Sequence, residues 1–268
     1  EEIQEKDIEE IDYYGIRNNK YYDEDSDVVC DKRDLKITKI SEIEALTTEE
    51  KKWLEKNLVH MRSDINQSLL GICCALGRFH TQGTYPILEV SGTTSIGKTE
   101  YVEFISRLLF GGRENIKSLS TLSNHQIRSF SSCSNITPWA IDEVKITGKF
   151  QLEKMNDLYS TIRSVYDNKI INQGNTTNKL AEFHLCTPLI ISGETKLSDV
   201  SIQNRMISTS ITKKNPVDFE IYKKLKNSDI LEKLGKAALM DRLENGVIVT
   251  SEIMLKIIEK YVLKYKNI

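Results

Sequence analysis

Nothing in this sequence is apolar for long. The best runs, Leu69–Leu76 and Tyr85–Val90, fall far short of the roughly 18–20 residues that a membrane-spanning helix needs. The acidic N-terminal stretch has no apolar signal core, so the expectation is a cytoplasmic protein with no membrane partner. Proline is scarce at 4 of 268 residues, while 39% of the chain is hydrophobic and 28% charged, which excludes a disordered chain. The five cysteines, Cys30, Cys73, Cys74, Cys133 and Cys186, show no CxxC spacing, and their odd number fits reduced thiols better than a disulfide or metal framework. The four histidines, His60, His80, His125 and His184, are equally dispersed and offer no metal-ligand spacing. Ser192-Gly193-Glu194 lacks the nucleophile-elbow pattern, so serine-hydrolase chemistry is not supported. A dominant charge is missing too: 37 Lys and Arg against 39 Asp and Glu leave −2, which on its face argues against a polyanionic partner.

What is there has an order. Residues 1–30 hold 11 acids against Lys6, Arg17 and Lys20, so 1–40 reads as an acidic arm or linker with little to bury. Thr47–Glu50 reads as a capping box that opens a helix over Thr48–Leu58. A second helix from Arg62 to Phe79 carries Ile65, Leu69, Ile72, Cys73, Leu76 and Phe79 at helical spacing, a stripe expected to face the core. Strands are expected at Pro86–Ser91, Trp139–Ile141, Thr187–Ser192 and Met206–Thr212, with helices at Thr99–Phe110 and Leu152–Asp167 between them. Such alternation predicts an α/β fold with a mostly parallel sheet covered on both faces, a core spanning 41–212. The remaining segment, 213–268, reads as helical, with helices near 217–226, 228–243 and 251–265.

Gly92-Thr93-Thr94-Ser95-Ile96-Gly97-Lys98-Thr99 matches G-x-x-x-x-G-K-[ST] in full, between an apolar strand and an amphipathic helix. The glycines let the backbone curl so that its N–H groups form an anion nest, with the positive end of a helix behind it. Lys98 is placed to reach the β- and γ-phosphates of ATP, and Thr99 to offer a hydroxyl to Mg²⁺. Farther on, the apolar run Pro138-Trp139-Ala140-Ile141 ends in Asp142-Glu143. An Asp there suits the Mg²⁺ shell and the adjacent Glu suits a general base acting on water. Hydrolytic motors need that second acid; kinases do not.

A third strand ends at Ser192-Gly193-Glu194-Thr195, and Asn204-Arg205-Met206 opens a fourth. This succession of phosphate loop, acid pair, polar strand end and arginine before a strand resembles the AAA+ ATPases. The wording SGTTSIGKT, SNITPWAIDEVK and PLIISGE…NR is similar to that of MCM-like and superfamily 3-like replicative helicases of phages and mobile genomic islands, over roughly residues 62–212. The resemblance implies a P-loop fold of AAA+ type and a ring, usually a hexamer, with ATP between subunits. It makes Arg205 a finger acting on the neighbouring subunit, and gives the sensor 1 role to Ser192 or Thr195, with Ser192 favoured. Arg242 has a position compatible with sensor 2, although a solvated helix face is the plainer reading.

Ile170–Gln173 and Leu180–Leu185 read as the arms of a hairpin around the turn-rich Gly174–Asn178. The resemblance implies that a hairpin here touches DNA in the ring's channel, with Lys169 and Lys179 as phosphate contacts and Asn175 and Asn178 as neutral donors. Lys145 and Lys149 are lesser candidates, and a polar surface hairpin is the alternative. Other readings of the whole stay open: a helicase loader, a packaging or remodelling motor, or a nucleotide-gated assembly module. The charge balance also changes on division. Residues 1–30 carry −8, which leaves +6 on 31–268, a surplus that favours DNA only where assembly focuses it.

Overall fold

The computed structural model describes residues 9–26, 28–30, 34–62, 64–81, 83–144, 149–174, 180–212 and 218–246. Five strands build one sheet: β1 (Ile87–Gly92), β2 (Ile116–Ser118), β3 (Trp139–Val144), β4 (Leu189–Gly193) and β5 (Met206–Ile211). Their order is β5-β1-β4-β3-β2 and every pairing is parallel. All of β4 and all of β1 except Gly92 are buried, because parallel strands covered on both faces are apolar along their whole length. The covering helices are α1 (Thr48–Asn57), α2 (Ile65–Gly77), α3 (Lys98–Arg107), α4 (Asn124–Phe130), α5 (Lys149–Tyr166), α6 (Val200–Gln203), α7 (Phe219–Asn227) and α8 (Ile230–Asn245). None of the described helices is long and apolar enough to cross a membrane.

The expected elements form within a few residues of the expected bounds. Thr47 caps α1 by accepting from the Glu50 N–H at 3.2 Å, while the Glu50 carboxylate accepts from the Thr47 N–H at 2.8 Å. Three of the sheet strands and covering helices are not legible in the sequence pattern: the three-residue edge strand β2, the four-residue α6, and α4, which Ser123 and Gln126 cap in the same reciprocal way. The expected helix over 251–265 lies outside the described residues.

Two expectations need correction. Helix α2 forms, but only part of the expected stripe faces inward: Ile72 and Phe79 are buried and Leu76 packs against the core, whereas Ile65, Leu69 and Cys73 are exposed. The inward face is Gln67, Ser68, Gly71, Ile72 and Ala75. Small residues let α3 come close; a side-chain carbon on Gly71 would stand 2.6 Å from the Tyr101 hydroxyl. Close approach of the helices therefore outweighs the stripe. The acidic stretch also has more to bury than its composition suggests. Ile11, Tyr14 and Cys30 join the core. Gly15–Arg17 pairs with Lys20–Tyr22 through Asn18 and Asn19, both left-handed, the backbone a tight hairpin turn requires. The Asn135 side chain fastens this hairpin to the core by bonding both backbone groups of Ile16, at 2.9 and 2.7 Å.

Candidate active site

The phosphate loop emerges where β1 ends and α3 begins. Two of its positions demand glycine. A side-chain carbon on Gly92 would lie 2.6 Å from the Ile211 carbonyl of the neighbouring strand, and Gly97 is left-handed with φ 82°. Ser95 is left-handed as well, at φ 58°, and such alternation turns successive N–H groups toward one centre. Gly97 caps α3, so the positive end of that helix faces the loop. Lys98 Nζ donates to the carbonyls of Gly92 at 2.8 Å and Thr93 at 2.9 Å. Its charge is therefore held at the loop.

Thr99 and Asp142, 43 residues apart in the chain, are brought together: the threonine hydroxyl donates to Asp142 Oδ2 at 2.8 Å. The acid pair sits in a break of the ladder. Ile191 pairs with Ile141 and Gly193 with Val144, so Asp142 and Glu143 stand opposite Ser192 alone. This is a β-bulge, a device that re-aims side chains at the edge of a site. Glu143 takes the strained left-handed conformation, φ 58°. Without the bulge, consecutive residues would point to opposite faces of the sheet. The Asp142 carboxylate also accepts from the Glu143 N–H at 2.8 Å, and Ser118 Oγ donates to Glu143 Oε2 at 3.2 Å.

Ser192, expected as sensor 1, is fully buried and its hydroxyl has no hydrogen-bond partner among the described residues. The side chain from this strand end that meets the loop is Glu194, two residues on, whose Oε1 accepts from Thr94 Oγ1 at 2.7 Å. The alternation of a buried strand explains this: its last core residue is enclosed, and polar groups emerge only after Gly193. Arg205 precedes β5 and donates to the Ser201 carbonyl at 2.5 Å, with Asp167 3.8 Å away and the Tyr166 ring 5.6 Å from its guanidinium. It lies at the start of the sheet strands, whereas the loop lies at their finish. Arg242 is neither solvated nor near the loop; it is 2% exposed and donates to the Phe79 carbonyl and the Asn19 side chain.

The hairpin arms pair as expected, Ile170–Gly174 antiparallel to Leu180–His184. Lys169 at its base pairs with Asp167 at 3.1 Å. Lys179, Asn175, Asn178 and Lys145 lie outside the described residues, as does the side chain of Lys149.

One residue at the loop escapes sequence reasoning altogether. Arg62, 6% exposed, brings Nη2 to 3.5 Å from the Ile96 carbonyl. Its Nη1 is so near that a side-chain carbon on Gly97 would stand 3.1 Å from it. Its Nε has no partner among the described residues. Burial pushes this guanidinium below the usual arginine value, with Tyr101 and Glu100 opposing. A buried cation beside a phosphate loop complements an anion there, but nothing in its local sequence marks it.

No protein-family model matches the chain, and no curated protein matches it either. Among solved structures the chain is similar to the JCV helicase bound to a small molecule, at 12% identity and TM-score 0.40, over 78% of this chain and 59% of that one. It is also similar to the apo C-terminal region of NrS-1, at 13% identity and TM-score 0.44, over 79% of this chain and 53% of that one. The chain thus spans little more than half the length of these two structures. Likeness at this level does not bear on activity, which rests on the chain's own residues.

Proposed function

We propose that the chain is the ATP-hydrolysing AAA+ motor of a replicative DNA helicase or initiator-helicase, working with Mg²⁺ as a hexameric ring on single-stranded or forked DNA. The observation that carries this reading is the meeting of a complete phosphate loop with the acid pair, Thr99 to Asp142 at 2.8 Å. The residues fit the cofactors. A hydroxyl beside a carboxylate is an oxygen-only donor set, as Mg²⁺ prefers, and the glycine-lined loop with Lys98 and the α3 terminus suits a triphosphate. When bound, MgATP supplies the scissile bond and the charge that neutralises its phosphates.

The chain's own groups divide the remaining work. The backbone of Thr93–Gly97 and the Lys98 ammonium bind and orient phosphate, the latter by turning from the carbonyls it now holds. Thr99 and Asp142 hold the metal shell. The Glu143 carboxylate takes a proton from the attacking water, and Ser118 steadies its other oxygen. Strand β4 runs between β1 and β3, so the residues after it stand between the loop and the acid pair. That position suits sensor 1, and its contact with Thr94 favours Glu194 over Ser192 for the role. Arg205 would stabilise transition-state charge in a neighbouring copy, a contribution of about 10³–10⁵ in kcat where such fingers act. The hairpin over 170–184, with Lys169 and Lys179, would follow the DNA backbone.

The test is turnover against binding, with and without single-stranded DNA. Lys98→Ala is expected to abolish ATP binding. Glu143→Gln is expected to retain ATP while turnover falls by about 10² or more. Turnover undiminished in Glu143→Gln would remove the mechanism.

A further inference from the structure

Three arginines line a cavity of about 390 Å³ at the opposite end of the sheet from the phosphate loop. Its wall includes Gly83, Asn135, Ile136 and Cys186, each three or four residues before a sheet strand. The loop begins at Gly92, where β1 finishes, five residue steps or about 17 Å beyond the start of that strand. Arg17 reaches the cavity from the N-terminal hairpin, Arg78 from the turn after α2 and Arg242 from α8. None of the described residues lining it is acidic.

Two of these guanidiniums, those of Arg78 and Arg242, meet neutral oxygens where counter-charge is expected. Arg78 is 4% exposed; it donates to the Asn135 carbonyl and, at 3.2 Å, to the Cys186 carbonyl, and its Nη1 has no partner among the described residues. Arg242 is held by the Phe79 carbonyl at 3.0 Å and by Asn19 Oδ1 at 2.6 Å. Arg17 meets a carboxylate, Asp12, at the long distance of 4.0 Å, and its buried Nη1 has no hydrogen-bond partner among the described residues. Carbonyls satisfy N–H groups but do not neutralise charge, and arginine does not escape by losing its proton. Enclosed cations without counter-ions are costly. The Tyr85 ring 5.0 Å from the Arg78 guanidinium offsets part of that cost, and burial still pushes Arg78 below its usual value.

We propose that this cavity binds a phosphate group, drawn by the positive charges of Arg17, Arg78 and Arg242 that line it. A phosphate answers three positive charges better than a carboxylate's single negative one, and the guanidinium fork matches its oxygens. The space suits a ligand the size of a mononucleotide. A free nucleotide and a nucleic-acid strand present the same group, so the experiment separates them. The inference is independent of hydrolysis at the phosphate loop.

The test uses the full chain carrying Lys98→Ala, which disables the phosphate loop. Inorganic phosphate, AMP and a short oligothymidylate are titrated by calorimetry and thermal shift, with acetate at matched ionic strength as control. Phosphate is expected to bind and acetate not to. Tighter binding of AMP than of the oligonucleotide assigns the free nucleotide, and the reverse assigns the strand. Adding Arg17→Gln is expected to weaken binding at least tenfold. Arg78→Gln should do the same, but Arg78 also ties Asn135 to Cys186, so the partly exposed Arg17 decides. The ligand-free melting curve of the Arg17 variant establishes that it folds. No phosphate binding in Lys98→Ala, or equal affinity after Arg17→Gln, overturns the proposal.

Discussion

At the scale of single residues, Glu143 carries two burdens. Its carboxylate is the proposed base, and its backbone is left-handed inside a bulge. For a residue with a Cβ that conformation costs about 1–2 kcal/mol, and such strain collects where geometry serves chemistry. The two burdens are separable by substitution. Glu143→Ala removes the carboxylate and keeps the strain, whereas Glu143→Gly removes both. Both variants should lose turnover, but the glycine variant should melt about 2–4 °C above the alanine variant, since about 1 kcal/mol shifts Tm by that much at this size. Equal melting temperatures would show that the bulge is unstrained. The reverse holds at Gly97, where a left-handed backbone and the nearby Arg62 guanidinium both exclude a side chain.

At the scale of elements, the loop depends on how α3 is anchored at its far end. Arg107, in the last turn of α3, pairs with Glu232 of α8 at 2.6 Å and donates to the Leu225 carbonyl at 2.6 Å. Gly235 lets the two elements touch; a side-chain carbon there would fall 2.2 Å from the Leu108 carbonyl. Backbone cannot yield as a flexible side chain does, so Gly235→Ala should destabilise the fold by about 1–3 kcal/mol. A melting curve within 1 °C of the parent chain, on the order of the resolution set by these magnitudes, would argue that α8 re-docks without cost. The same contrast between local pattern and tertiary contact decides what the sequence discloses. The phosphate loop, the acid pair and four of the five strands are legible, because buried parallel strands write themselves as apolar runs bounded by loop residues. Strand β2 is not, since three half-buried residues at an edge leave no pattern. The face of α2 is partly misread because Gly71 and Ala75 meet the core beside Ile72, while Ile65 and Leu69 stay exposed. Arg62 and Glu194 reach the loop from segments 34 and 100 residues away from their partners, a proximity that helix packing creates for Arg62 and strand order for Glu194.

At the scale of the whole molecule, sheet polarity constrains what Arg205 can do. Arg205 donates nothing to the loop of its own chain: its carbonyl accepts from the Ile87 N–H at the start of β1, while Gly92 pairs with Ile211 at the finish. Five strand residues separate the two ends, about 17 Å, beyond the reach of an arginine side chain. Within its own chain the residue can serve only where it is held, by Ser201, Asp167 and Tyr166. A catalytic role therefore requires a second copy, and the two alternatives predict different behaviour on mixing. A structural role predicts that Arg205→Ala lowers stability and that mixtures behave as the sum of their parts. A finger predicts that Arg205→Ala binds ATP normally yet turns over slowly. Mixing it with Lys98→Ala should then restore part of the rate, because hybrid interfaces unite an intact loop with an intact arginine. The rate should pass through a maximum as the mixing ratio varies, since only interfaces of one hybrid type are competent. A flat response across all ratios would confine Arg205 to its contact with Asp167 and leave the proposed ring without a finger.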